Sequence, residues 1–223
     1  FPDVNVARMD LDTTRTRNAY ERIINDFATG KTNILIGTQM ISKGLDFDRV
    51  SVVGILNADS MMNYPDFRAY EQAYMMMSQV RRGKRGLVVL QTKNPQAPLI
   101  GYVVRNDYEA LYDEMVEERQ LFRYPPFTHL IYVYLKHKQD DVVNTAAIEL
   151  ANRLRQWFGS RVLGPDKPAV AKVKAMNIRK VVLKLENGID NKKVRQYLIL
   201  AQQQILTDKR YGALQVYYDV DPL

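Results

Sequence analysis

The chain has 223 residues, 46% of them hydrophobic and 26% charged, and a net charge of +7. That length suits two domains of roughly 100 residues each. No run nears the roughly 20 apolar residues of a spanning helix, no secretory signal is expected from the opening FPDVNVARMD, and the absence of cysteine excludes disulfides and cysteine-based zinc sites within the chain. His129 and His137 are the two histidines, so no metal site is expected, and the composition is compatible with a cytoplasmic protein. The chain opens without methionine on a strand-like segment and is expected to be part of something longer.

Residues 1–104 alternate between strand and helix patterns. A short strand spans 4–9. Thr13 or Thr14 can cap a helix running to Ala28, with Ala19, Ile23, Ile24 and Phe27 at helical spacing. Strands follow at 33–37 and 50–57. Asp66 is a candidate N-cap for a helix over 67–80, and 85–91 reads as the next strand. This alternation predicts a parallel sheet with crossover helices. Pro95 and Pro98 mark the exit from it. Residues 105–223 begin with an acidic helix over 107–121, ended by Tyr124-Pro125-Pro126. Then come strand 128–136, helix 140–158, strands near 169–175 and 178–185, helix 190–206 and strand 214–219. The order βαββαβ predicts a small α+β domain with an antiparallel or mixed sheet and helices on one face.

Charge is unevenly spread. Arg153 to Arg195 holds twelve Lys or Arg, opposed by Asp166, Glu186 and Asp190, whereas Arg105 to Glu149 holds five basic and nine acidic residues. The basic stretch suits either a face for a polyanion or a set of solvated lysines. Alternation places Lys172 and Lys174 on one strand face. It turns Lys180 and Lys184 away from Val181, Leu183 and Leu185.

The segment Ile34 to Val53, ILIGTQMISKGLDFDRVSVV, joins a buried-type strand to the next through a polar loop. Ligands of open α/β sheets sit where strands end. Thr38 offers a hydroxyl and a backbone N–H there, suited to a DNA phosphate or to capping the local turn. Lys43 is a sequence-independent cation beside Gln39, and Gly44 permits a tight turn and close approach of a ligand.

The wording of this loop, Thr38-Gln39-Met40 then Lys43-Gly44-Leu45-Asp46, resembles motif V of superfamily 2 helicases, in the form found in the PriA family of replication-restart helicases. Further segments resemble that family in order. They are Met9 to Thr14, Asn57-Ala58-Asp59, Pro65 to Glu71, Gln79-Val80, Gln91-Thr92, Glu118-Arg119, Tyr124 to Phe127, and Asp219-Val220-Asp221-Pro222. The resemblance implies a partial second RecA-like lobe over 1–104 and a C-terminal α+β domain over 105–223. It implies a whole protein that is an ATP-dependent 3′→5′ DNA helicase using ATP and Mg²⁺. Such a protein acts at stalled forks on forked and single-stranded DNA, with single-strand binding protein and other primosome proteins. Zinc is expected only in an upstream module.

For individual residues the resemblance implies DNA contacts for Thr38, Gln39 and Lys43, and a nucleotide-facing role for Gly44 and Asp46. The family's C-terminal domain binds DNA, which makes Lys172, Lys174, Lys180 and Lys184 candidates. Motif VI departs from the family pattern Q-V-x-G-R-A-G-R, because Gln79-Val80 runs directly into Arg81-Arg82-Gly83. Gln79 and Arg82 are the candidate catalytic residues there. A true deletion of the glycine–arginine stretch would leave a poor ATPase, since an arginine finger is worth orders of magnitude in rate. The aromatic–Arg–aromatic–Gln run of the family's C-terminal domain is replaced by Asn177-Ile178-Arg179-Lys180. No G-x-x-x-x-G-K-[ST] occurs, so these residues alone are not expected to hydrolyse ATP. A non-catalytic DNA- or protein-binding module that keeps a helicase-like lobe is the alternative.

Overall fold

The computed structural model describes residues 4–38, 50–79 and 87–222. It divides into two units, Phe1–Tyr112 and Asp113–Leu223.

The first unit carries β1 (Val6–Met9), α1 (Arg17–Ala28), β2 (Ile34–Gly37), β3 (Val52–Ile55), α2 (Ala58–Met62), α3 (Ala69–Gln79), β4 (Leu87–Leu90) and α4 (Pro98–Arg105). The helix α5 (Tyr108–Leu121) crosses the boundary into the second unit. β1 pairs with β2 and β3 with β4, both in parallel. Parallel neighbours require a crossover, supplied by α1 in one pair and by α2 and α3 in the other. The expected single parallel sheet is therefore seen as two two-stranded sheets among the described residues. β2 runs out at Gly37, and residues 39–49 that follow it lie outside the described chain.

Local chemistry moves some boundaries. Thr16, not Thr13 or Thr14, caps α1 by accepting from Ala19 N at 3.2 Å. Thr13 and Thr14 instead close a turn on Asp10, whose carboxylate accepts from Thr13 N at 2.9 Å. Pro95 and Pro98 follow β4, the last described strand of this unit, and Pro98 opens α4, as suits a residue without an N–H at the first helical position. Met77 is buried, whereas Met75 is exposed and fills no core.

The second unit is built on β5 (Thr128–His137), α6 (Asp140–Phe158), β6 (Val162–Asp166), β7 (Lys172–Val173), β8 (Met176–Glu186), α7 (Asn191–Leu206) and β9 (Gln215–Val220). The sheet order is β6-β8-β5-β9, with β7 attached to β8, and every pairing is antiparallel. α6 buries Val143, Ala146, Ala147, Leu150, Ala151, Leu154 and Phe158, the three-and-four spacing of one helical face. α7 buries Val194, Leu198, Ala201 and Ile205 in the same way. Asp190 caps α7, accepting from Lys192 N and Lys193 N at 2.9 and 3.3 Å. Both helices pack with Ile131, Val133 and Leu135 of β5 and with Val181, Leu183 and Leu185 of β8 in one core. Truncating one of these leucines to alanine costs about 2–5 kcal/mol.

Sequence pattern alone does not single out β6. Its backbone breaks register between Leu163 and Asp166. Gly164 sits there at φ +88°, and a Cβ on it would lie 2.9 Å from Lys180 O. The strand therefore needs glycine at this close approach.

Candidate nucleic-acid interface

Alternation along β5 and β8 gives the sheet two faces. Odd-numbered Ile131, Val133, Leu135, Val181, Leu183 and Leu185 meet the helices. Even-numbered residues occupy the other face. There Tyr132 opposes Val182, Tyr134 opposes Lys180 and Leu130 opposes Lys184 across the β5–β8 ladder. On the β9 side Tyr134 opposes Tyr217 and Lys136 opposes Gln215.

Aromatic and cationic groups interleave on this face. The Tyr134 and Tyr217 rings stack at 4.9 Å with 13° between planes, and Tyr132 meets Tyr134 edge-on at 6.2 Å. Lys136 Nζ lies 4.4 Å from the Tyr217 centroid, and Lys180 Nζ lies 4.5 Å from that of Tyr132. Such contacts at accessible sites contribute about 0.5–1 kcal/mol each. Asp166 and Asp219 occupy register positions on the outer strands, opposite Lys180 and Tyr132. Sequence reasoning missed the three tyrosines. The period-two spacing of Tyr132 and Tyr134 was the available signal; Tyr217 needed the pairing.

Lys184 has a different task. Its Nζ lies 3.6 Å from the Tyr124 centroid and donates to Phe122 O at 2.9 Å. Burial holds its pKa below the usual lysine value. Asn187 Nδ2 donates to Pro126 O at 2.9 Å. Together they hold the segment entering β5 against the end of β8.

The four lysines expected to act together are separated. Lys180 and Lys184 lie on the sheet face opposite the one that packs against α6 and α7. Lys172 opposes Asn177, an odd-numbered position on the helix side of β8. Lys174 is not in a strand: it turns the β7–β8 hairpin at φ +53°. The expected shared strand face for Lys172 and Lys174 fails because the hairpin turns after Val173. Arg179 is buried and structural. Its Nη2 donates to both carboxylate oxygens of Asp140 at 2.8 Å, and its Nε to Asn144 Oδ1 at 3.1 Å, joining β8 to the start of α6.

The closing Asp219-Val220-Asp221-Pro222 segment also has a structural role. Asp221 Oδ1 accepts from Leu130 N at 3.0 Å, its Oδ2 lies 2.9 Å from His129 Nδ1, and its own N–H donates to Leu130 O at 2.8 Å. The segment thereby pins β9 to β5.

In the first unit Thr38 stands exposed directly after β2, at a strand end. Gln39, Lys43, Gly44, Asp46 and Arg82 lie outside the described residues. Gln79 is the last residue of α3, and its side chain lies outside them too. Asp59 accepts from Thr92 Oγ1 at 2.8 Å and from Lys93 N at 2.9 Å. These bonds, Lys93 first, lower its pKa. They tie α2 to the end of β4. Asp66 accepts from Arg68 N at 2.8 Å and pairs with Arg68 Nε at 3.1 Å. Among the described residues no group of three or more His, Cys, Asp or Glu is placed to hold a metal ion. No helix there is long and apolar enough to cross a membrane.

Two family models match in sequence order. "Helicase conserved C-terminal domain" covers residues 3–83 and "Primosomal protein N C-terminal domain" covers 120–223. The chain belongs to the PriA family. Among similar relatives is the replication restart protein PriA of Chlamydia trachomatis, 34% identical over 100% of this chain and 30% of its own length. That of Haemophilus influenzae is 33% identical over 100% of this chain and 31% of its own length. That of Bacillus subtilis is 36% identical over 78% of this chain and 22% of its own length. The chain thus spans between 22% and 31% of these PriA relatives.

Proposed function

We propose that this chain is the C-terminal part of an ATP-dependent 3′→5′ superfamily 2 DNA helicase that restarts replication and assembles the primosome at stalled forks. The observation that carries this reading is the end-to-end similarity to relatives named replication restart protein PriA. The parallel strand pairs with their crossover helices fit one part of a RecA-like lobe over 1–104. The antiparallel unit fits the C-terminal domain over 105–223.

In the whole protein, ATP and Mg²⁺ bind between this lobe and an upstream one, and zinc belongs to an upstream module. Gly44 and Asp46 face the nucleotide, while Gln79 and Arg82 serve the transferring phosphate. Thr38, Gln39 and Lys43 hold the strand. The partners are forked and single-stranded DNA, single-strand binding protein and other primosome proteins, and the compartment is the cytoplasm. Residues 1–223 supply no phosphate-binding loop, so this chain alone does not turn over ATP.

The test is DNA-stimulated ATP hydrolysis. The full-length protein hydrolyses ATP, and its Asp46→Ala variant loses most of that rate with DNA affinity retained. Residues 1–223 show no hydrolysis above a Lys43→Ala/Asp46→Ala control. Equal rates in the wild-type and Asp46→Ala full-length proteins overturn the reading.

A further inference from the structure

We propose that the outer edge of β9 takes up an extended segment of a partner protein as a further strand, with apolar side chains beside α7 and a lysine or arginine beside Asp219. The proposal stands apart from the helicase reading and adds a protein-docking site to the second unit.

The two sides of this sheet end differently. On one side β6 and β7 cover β8, and β6 is blunted by its register break at Gly164 and by Pro165, which has no N–H. On the other side β9 pairs with β5 and, among the described residues, with no further strand. β9 holds an unbroken register from Gln215 to Val220 and contains neither proline nor lysine. It lacks the devices that keep an edge from pairing again.

The ladder shows which backbone groups face outward. Asp221 N–H donates to Leu130 O at 2.8 Å, and backbone direction alternates along an antiparallel strand. Gln215, Tyr217 and Asp219 therefore turn their N–H and C=O toward β5. Val216, Tyr218 and Val220 turn theirs outward, in the row that an added strand pairs with.

Side chains give that strand an apolar ledge. Val216 and Tyr218 pack on the helix side of the sheet. Tyr218 Oη donates to Gln202 Oε1 at 2.8 Å, which sets Gln202 of α7 over β9. Ile199 and Leu206, three residues before Gln202 and four after it, share its side of the helix. The opposite side of α7, with Tyr197 and Gln204, meets α6. Ile199 and Leu206 are 42% and 39% exposed, and Val220, on the same sheet face as Val216 and Tyr218, is 62% exposed. Apolar residues at every second position of an added strand cover these groups.

The other face sets the charge of the partner. Asp219 is exposed, and its carboxylate has no partner among the described residues. A lysine or arginine across the new pair attracts it, and an acidic residue there repels it. β9 itself contains no cation, so a second copy of this edge supplies none.

The experiment is fluorescence-anisotropy titration of residues 1–223 with a labelled peptide, Thr-Val-Lys-Val-Thr-Val-Lys, capped at both ends. Controls are the same peptide with glutamate for lysine and with N-methyl groups at alternate residues. The lysine peptide binds. The glutamate peptide binds weaker by about threefold or more, and the N-methylated peptide by about tenfold or more. Asp219→Lys reverses the preference between lysine and glutamate peptides. Val220→Pro removes an outward N–H and weakens binding of the lysine peptide. Amide exchange at Val216, Tyr218 and Val220 slows on peptide addition, whereas Tyr217 and Asp219, already turned toward β5, change little. Thermal melting identifies a variant that has lost its fold, and Asp219→Lys keeps the test decisive if Val220→Pro has.

No binding at millimolar peptide overturns the proposal, as does equal affinity for the N-methylated peptide or unchanged exchange at the three outward amides. Concentration-dependent dimers that Val220→Pro abolishes assign the edge to a second copy instead and also overturn it. ATP hydrolysis by the full-length protein is a separate measurement and decides none of these outcomes.

Discussion

Arg179 Nη2 donates to both carboxylate oxygens of Asp140 at 2.8 Å, and the guanidinium is buried while the carboxylate is half exposed. A cation placed between β8 and α6 in this way cannot also serve a DNA backbone. Asp140→Ala leaves a buried guanidinium short of acceptors and is expected to cost about 1–3 kcal/mol in urea denaturation. The salt dependence of oligothymidylate binding is expected to stay as in wild type. A flattened salt slope in the folded variant would show that the pair is part of the DNA-binding surface.

Asp221 should act as a clasp on the sheet edge. It satisfies Leu130 N and contacts His129, residues more than ninety positions away in sequence. Asp221→Ala is expected to lower stability by about 1–2 kcal/mol, and to speed hydrogen exchange of the Leu130 amide more than that of Val133. Unchanged exchange at Leu130 would mean that Pro222 and the β9 ladder hold the edge unaided.

Lys184 and Lys180 should separate cleanly. Lys184 donates to Phe122 O and lies over Tyr124, so Lys184→Ala is expected to lower thermal stability by about 1 kcal/mol. Its effect on oligothymidylate affinity is expected to be small. Lys180→Ala is expected to do the reverse. Equal loss of affinity in the two variants would contradict the division.

Tyr218 predicts a loss of stability at alkaline pH. Its hydroxyl donates toward Leu198 O and Gln202 Oε1, and burial raises its pKa from 10.0 to about 12. The unfolded chain then ionises first, so its stabilising contribution is complete below pH 10 and falls away as pH rises toward 12. Tyr218→Phe should lack that portion of the decline in denaturation curves measured across this window. An identical alkaline decline in the variant would assign it to other groups.

Most of the second unit was legible from periodicity. The helix over 140–158 and the strands at 128 and 178 follow from three-and-four and alternating patterns that tertiary packing only reinforces. β6 was not legible, because Gly164-Pro165 interrupts its alternation and its place is set by Lys180 across the sheet. The Lys172–Lys174 expectation failed on a turn: two lysines at strand spacing do not share a face when the second bends the hairpin. The tyrosine layer needed register, since Tyr217 meets Tyr134 only through the β5–β9 ladder. Asp59 shows the converse, an acid set apart by sequence resemblance whose described contacts close its own unit.

The most direct test of the helicase reading is strand displacement by the full-length protein on partial duplexes with a single-stranded arm of one polarity. The expected result is unwinding that needs ATP and Mg²⁺ and a 3′ arm on the translocated strand, and that Asp46→Ala abolishes. Unwinding only from a 5′ arm, or none under conditions where the protein binds the fork, would contradict it.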